Sequence, residues 1–248
     1  MIETEVVKLP NWTFDVPLSI HLLINSECNL RCPKCYYKAE GEIAYPQFLS
    51  LFGEWKRAGV KSIAIGGGEP MLHPNIEQVC KEAKLCGFYL AITTNGTIIK
   101  RVWADRLHIS FDEIHRTDFE QTRRAIRCFR QFIPKIGINH IVTDLQSLKR
   151  ALKLPADTYT LLMEKPESKF DEWEKAFALV PKEKLWIDAC LAQKLGIRKC
   201  RQGVTSMSIN QQLQAAKCSN MHDHIPYNGL KATWNKIKQQ PCPFWVKM

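Results

Sequence analysis

The sequence has no long apolar run: nothing in it approaches the roughly 18 residues that span a bilayer. Its opening stretch, MIETEVVKLPNWTFDVPLS, lacks the basic segment followed by an apolar one that marks a secretory signal. No membrane association is expected, and a cytoplasmic location is the default. Internal repeats and low-complexity segments are absent too, which sets aside solenoids and linker-like chains. Apolar residues at 45% and charged residues at 24% are too ordinary for a disordered or collagen-like chain. A length of 248 residues allows one sizeable core with a small appendage, not two full-sized domains.

What the chain does have is cysteine, ten residues in all. Cytosolic thiols stay reduced, so clustered cysteines read as metal-binding or catalytic groups before they read as a disulfide framework. A formal charge of +10 favours an anionic partner: a phosphorylated small molecule, an acidic peptide or a nucleic acid. Much of that excess lies on Arg123, Arg124, Arg127 and Arg130, interleaved with Phe119, Ile126 and Phe129. That pattern describes the solvated face of an outer helix.

Short β-rich runs alternate with amphipathic helical patterns over the first three quarters of the chain, the βαβ signature of a parallel sheet. Six strands are expected, near Leu18–Ile24, Ser62–Ile65, Tyr89–Thr93, Leu107–Ser110, Ile136–Val142 and Thr158–Leu162. Phe48, Leu51, Phe52 and Trp55 recur at helical spacing between Pro46 and Gly59. Ile76, Val79, Cys80 and Ala83 repeat the spacing between Pro74 and Gly87, which assigns Cys80 to the core. The segment after Thr94 is too short for a full crossover helix. From Leu185 the character changes: Thr205–Ile209 and Leu213–Lys217 can pair as a hairpin, and Leu230, Trp234 and Ile237 share a helix face that Pro241 ends. Domains are expected at 1–184 and 185–248.

Directly after the first strand, SECNLRCPKCYY spaces Cys28, Cys32 and Cys35 as C-x3-C-x2-C. A parallel sheet presents its functional loops at that place. Three thiolates on four irons leave one iron open to a substrate. The residues alone also allow a zinc site completed by a distant His or Cys.

With IAIGGGEP at the end of the second strand, the pattern resembles the radical S-adenosylmethionine superfamily, and the resemblance covers most of the chain. It implies a partial (β/α)6 TIM-like barrel with a small C-terminal cysteine-rich extension. Cys28, Cys32 and Cys35 would hold a 4Fe-4S cluster, and Gly67, Gly68 and Glu69 would take the amino group of S-adenosylmethionine (SAM). A carboxylate suits an ammonium, and glycines let backbone approach a ligand. ITTNGT resembles the family's third-strand end and brings in Asn95. LHISFDEIH resembles its fourth strand, turning Ser110 and Asp112 toward the barrel mouth, and GINHIV its fifth, offering Asn139 to the cofactor. One departure is Lys34 where the family commonly has an aromatic residue before the third cysteine; Tyr36 follows instead.

The resemblance implies that the open iron chelates the methionine end of SAM and that an electron from the cluster breaks a carbon–sulfur bond, giving methionine and a 5'-deoxyadenosyl radical. A reductase, flavodoxin or ferredoxin would supply the electron. Cys190, Cys200, Cys218 and Cys242 resemble the ligands of a Twitch or SPASM extension and would hold a second, auxiliary 4Fe-4S cluster. SPASM needs more cysteines than remain, so the shorter Twitch form fits better, and zinc is the other reading. The expected activity is oxidative chemistry on a small or nucleotide-like anion. The alternatives are a maturase acting on a ribosomally made peptide, with few residues before the first strand for a recognition domain, and a zinc protein that binds nucleic acid without catalysis.

Overall fold

The computed structural model describes residues 14–35, 40–165, 168–221 and 223–242. Seven parallel strands follow one another in chain order: Ser19–Leu23 (β1), Ser62–Gly66 (β2), Tyr89–Thr94 (β3), Arg106–Ser110 (β4), Ile136–Ile141 (β5), Thr158–Leu162 (β6) and Leu185–Ile187 (β7). Six were expected. The seventh has only three residues, too few for alternation to reveal it.

Each crossover buries one apolar face. Tyr45–Ala58 (α1) covers the sheet with Phe48, Leu51, Phe52 and Trp55, and Gly59 ends it at φ +87°, in the left-handed region. Ile76–Leu85 (α2) buries Ile76, Val79, Cys80 and Ala83. Among the described residues no helix stands between β3 and β4. Phe119–Phe129 (α3) buries Thr122, Ala125, Ile126 and Phe129 and leaves Arg123, Arg124 and Arg127 exposed, as its pattern predicts. Leu145–Ala151 (α4) and Trp173–Leu179 (α5) complete the outer layer.

The sheet does not stop at β7. Ser206–Ile209 (β8) adds in parallel to the free side of β1, pairing Ser19 with Ser206 and Leu22 with Ile209. Gln214–Ala216 (β9) returns antiparallel as the expected hairpin, and Ile225–Pro226 (β10) adds to β9. The strand order is therefore β10-β9-β8-β1-β2-β3-β4-β5-β6-β7, an open barrel. The hairpin turn has no glycine because the Asn210 side-chain carbonyl accepts from the amides of Gln212 and Gln214, while Leu213 takes the left-handed conformation at φ +53°.

The last helix, Leu230–Ile237 (α7), packs on α1: Glu54 accepts from the Tyr227 hydroxyl (2.6 Å) and the Leu230 amide (2.6 Å), and the Tyr227 hydroxyl accepts from Trp55 Nε1. Leu230, Trp234, Ile237, Met207 and Ile209 belong to the same apolar core as the barrel helices. Among the described residues no helix is long and apolar enough to cross a membrane.

Parallel strands are usually apolar on both faces. Here the outward faces carry Ile20, Leu22, Ile63 and Ile65, all buried, whereas the inward positions include His21, Ala64, Gly66, Thr93, Ser110 and Asn139. Small and polar inward residues leave the barrel hollow. The resulting cavity measures about 1350 Å³.

Candidate active site

The triplet loop leaves β1 and is tied at both roots: the Ser26 amide donates to Gly41 O, and the Ile43 amide to Ile24 O. Cys28 and Cys32 are half-buried, Cys35 is exposed, and all three line the cavity. The Leu30 amide (3.4 Å) and Asn95 Nδ2 (3.9 Å) point at Cys28 Sγ. N–H donors aimed at sulfur suit a thiolate ligand. With no metal bound, burial pushes the Cys28 thiol up. Burial, then the neighbouring Cys35 and Cys28, do the same for Cys32. Three thiols on one wall with donors directed at the first fit a bound iron–sulfur cluster, since metal binding releases such protons. Lys34 forms an ion pair with Glu164, and both border the cavity. Tyr36 lies outside the described residues.

Gly67 and Gly68 form the facing wall. Their reason for being glycine is close packing against the root of the triplet loop: a Cβ on Gly67, whose φ is +138°, would lie 2.5 Å from Asn25 O, and one on Gly68 would lie 2.2 Å from Glu27 O. Glu69 follows them and is 1% exposed. Its carboxylate accepts from Thr94 Oγ1 (2.6 Å), the Asn95 amide (2.7 Å) and the Met71 amide (3.0 Å). Burial pushes its carboxyl above the usual range in spite of those bonds. The motif expects Glu69 at the cofactor, and its carboxylate bonds Thr94 and Asn95, which border the cavity.

Asn95 lies on the cavity and bonds Asn29 Oδ1 through Nδ2. Ser110 and Asn139, adjacent in the β4–β5 register, line the opposite side. Asp112 reaches the same rim, but its carboxylate is spent on the turn that follows β4, accepting from the Ile114 and His115 amides, the Ile141 amide and His115 Nδ1. Burial alone would raise its pKa; the His115 contacts outweigh it and hold the group below the usual carboxylate range.

The second cysteine group converges on the same cavity. Cys190 opens Ala189–Lys194 (α6), Cys200 precedes β8, Cys218 follows β9, and Cys242 returns after α7. Burial pushes the Cys190 thiol up to about 12 and raises those of Cys200 and Cys218, with mutual repulsion adding to each. Among the described residues no three His, Cys, Asp or Glu side chains converge tightly enough to hold a single metal ion.

Two cavity residues escape a reading by motif. His115 carries its ring on the buried Asp112 carboxylate, and the i, i+3 spacing in DEIH is the signal that could have found it. His21 faces inward from β1, kept neutral by burial and by Lys165, and only the two-residue period of that strand marks it.

Residues 22–143 match the family model described as the Radical SAM superfamily. That segment is a radical SAM domain. The radical SAM match spans the triplet loop, the glycine wall, Asn95, Ser110, Asp112 and Asn139. Among curated relatives, a tungsten-containing aldehyde ferredoxin oxidoreductase cofactor-modifying protein of Pyrococcus furiosus is 38% identical over 86 residues, 32% of this chain and 24% of the relative. An S-adenosylmethionine-dependent nucleotide dehydratase of Thermoplasmatales archaeon is 30% identical over 116 residues, 43% and 42% of the two chains. The chain thus spans less than half the length of either. Among solved structures, Streptococcus suis SuiB bound to its precursor peptide SuiA superposes with a TM-score of 0.74 at 16% identity, over 90% of this chain and 65% of that one. A likeness at that identity shows the fold alone. The family implies a 4Fe-4S cluster, SAM and an electron donor.

Proposed function

We propose that this chain cleaves SAM reductively and directs the radical at a small or nucleotide-like anion held between the two cysteine groups. The observation that carries this reading is that Cys28, Cys32 and Cys35, the Gly67–Gly68 wall and the second cysteine group all border one cavity. At about 1350 Å³ it exceeds the roughly 300–1,000 Å³ of single small-molecule sites, so a cofactor and a substrate fit together. Cys28, Cys32 and Cys35 would hold the cluster, which when bound would supply the electron for the reductive cleavage of SAM. The protein's own residues do the rest: the Gly67–Gly68 backbone and Asn95 border the methionine side, Ser110 and Asn139 offer polar contacts to the ribose, and the apolar strand ends exclude water.

The substrate class follows from charge. Arg31, Lys34, Lys165, Arg198, Lys199 and Lys217 border the cavity against three carboxylates, Asp112, Glu164 and Asp188. That balance favours an anion. The nucleotide dehydratase relative acts, by its name, on nucleotides, which supports the same class here. Cys190, Cys200, Cys218 and Cys242 would hold an auxiliary cluster that takes the electron left on the substrate. In this reading 1–184 is the radical-generating part and 185–248 the accessory part, although both share one sheet.

The test is to reconstitute the chain anaerobically, reduce it, and follow 5'-deoxyadenosine with and without a panel of nucleotides, sugar phosphates and short peptides. Slow formation alone, accelerated by a nucleotide or sugar phosphate, supports the proposal. Acceleration only by a peptide transfers it to the maturase reading, and a colourless protein with stoichiometric zinc and no deoxyadenosine overturns it.

A further inference from the structure

We infer that His21 is a substrate-recognition residue: its imidazole hydrogen-bonds a hydroxyl of a phosphorylated sugar, free or within a nucleotide, whose phosphate is met by Lys165. This deepens the proposed function and rests on it.

The place of His21 follows from strand register. Alternation on β1 turns Ile20 and Leu22 outward into the core and His21 inward, where it is half-buried and lines the cavity. Its partners on either side are Ala64 of β2 and Ser208 of β8. β2 ends at the Gly67–Gly68 wall, and β8 begins the hairpin that Cys200 and Cys218 flank. His21 therefore stands between the cofactor side and the second cysteine group, where the substrate is proposed to sit. It is also deeper than the wall: the Leu23–Gly66 pair lies two residues nearer the strand ends, about 7 Å further along.

His73 and His140 show what a structural histidine does in this fold. His73 bonds Ile43 O through Nε2 and accepts the Asn75 amide at Nδ1, and His140 bonds Phe111 O and Ser147 Oγ. Among the described residues no group hydrogen-bonds the His21 ring. Ala64 cannot, and the Ser208 hydroxyl is turned to Ala216 O. A polar ring so placed is costly unless something in the cavity bonds it. Burial, then Lys165, keeps the ring uncharged, which leaves it one donor and one acceptor. A hydroxyl can answer either nitrogen, whereas a carboxylate or an ammonium can answer only one.

Lys165, just beyond β6, supplies the charge. It pairs with Asp188 at 3.2 Å, and Asp188 caps α6 by accepting from the Leu191 amide at 2.6 Å. The ammonium so held lies within electrostatic reach of His21 and of Cys190 and Cys218. It borders the cavity among an excess of cations, which suits a phosphate. A hydroxyl on the ring and a phosphate on the ammonium together describe a phosphorylated sugar.

The experiment uses the full chain, reconstituted anaerobically, as wild type, His21→Phe, His21→Gln and Lys165→Gln. The probes are nucleoside triphosphates and pentose and hexose phosphates, each beside its deoxy and its dephosphorylated counterparts, with short peptides in parallel. Calorimetry on the oxidised, SAM-bound chain gives affinity without turnover, and iron content and SAM affinity check that each variant has kept its fold. His21→Phe keeps a planar ring and removes both nitrogens. It should weaken a hydroxylated phosphate on the order of tenfold, the scale of one hydrogen bond in a closed site. The deoxy form that lacks the hydroxyl in question should bind this variant and the wild type alike. His21→Gln, which keeps a donor and an acceptor, should bind more tightly than His21→Phe. Lys165→Gln should weaken the phosphate ester and not its dephosphorylated counterpart. Nucleotides and free sugar phosphates support the inference equally, and their relative affinity names the carrier. A phosphate ester that binds wild type and His21→Phe equally overturns this inference and leaves the proposed function standing. An equal loss for every probe, deoxy forms included, overturns it too, because the ring then only shapes the cavity. A wild type that binds peptides alone, or none of the probes, sinks the substrate class of the proposed function and this inference with it.

Discussion

Gly68 has no room for a side chain. A Cβ there would sit 2.2 Å from Glu27 O and 2.6 Å from Ser26 O, both backbone atoms, so Gly68→Ala must push the β2 turn and the triplet loop apart. Overpacking of this kind costs about 1–3 kcal/mol, and the strain falls on the loop that presents Cys28. The expected result is a lower thermal midpoint together with poorer iron retention, read by calorimetry and an iron count. An unchanged midpoint would mean that the loop root yields freely. The motif made Gly67 and Gly68 legible as candidate site residues, and the fold adds a second reason for glycine there, the close approach of the protein's own backbone.

His108 gives the residue scale a pH signature. Burial, then Arg106, lowers its pKa to about 4 from 6.5. Between those values the unfolded chain binds a proton that the folded chain does not, so stability rises with pH across this window and is lost as pH falls from 6.5 toward 4. At pH 5 the loss amounts to about 2 kcal/mol from this group. Burial lowers His21 and His140 too, with the same sign. Urea unfolding of the metal-free chain at pH 7.5 and pH 5 should show the drop, and His108→Gln should reduce it. An equal drop in the variant would assign the acid sensitivity to other groups.

At the scale of elements, helices with their own punctuation were readable: α1 between Pro46 and Gly59, and α2 with Gly87 at φ +86° beyond its end. Elements defined by distant partners were not. β7 is a strand only because β6 pairs with it, and β8 joins the barrel because Ser19–Leu22, far away in sequence, accepts it. The α1–α7 contact is the element that ties the last cysteine to the site. Trp234 is 1% exposed and donates through Nε1 to Phe14 O, and Cys242 follows five residues beyond Ile237, the end of its helix. Trp234→Ala removes a fully buried indole at a cost of about 3–5 kcal/mol. The expected outcome is iron lost first from the second cysteine group while the SAM-responsive signal survives. Simultaneous loss of both signals would show that α7 supports the whole barrel and not the second group alone.

At the scale of the whole molecule, the sheet brings together what the sequence keeps far apart. The triplet hangs from the end of β1, and the second group sits around α6 and the open end of the β8–β9 hairpin, which pairs with the other edge of β1. Both groups therefore border one cavity by construction. Four thiolates can ligate a cube completely and leave no open iron, which suits electron transfer better than substrate binding. The reconstituted chain should then hold roughly eight irons, and replacing Cys28, Cys32 and Cys35 together by Ala should leave about half. Single Ala variants at Cys190, Cys200, Cys218 and Cys242 should still cleave SAM and should lose the second spin-resonance signal. Cys242 decides the ligand set, because it reaches the cavity from beyond α7, whereas Cys190 lies in α6 and Cys200 and Cys218 flank the β8–β9 hairpin. An undisturbed second signal in Cys242→Ala would make that residue structural and leave the fourth position of the second site to another group or to the substrate itself.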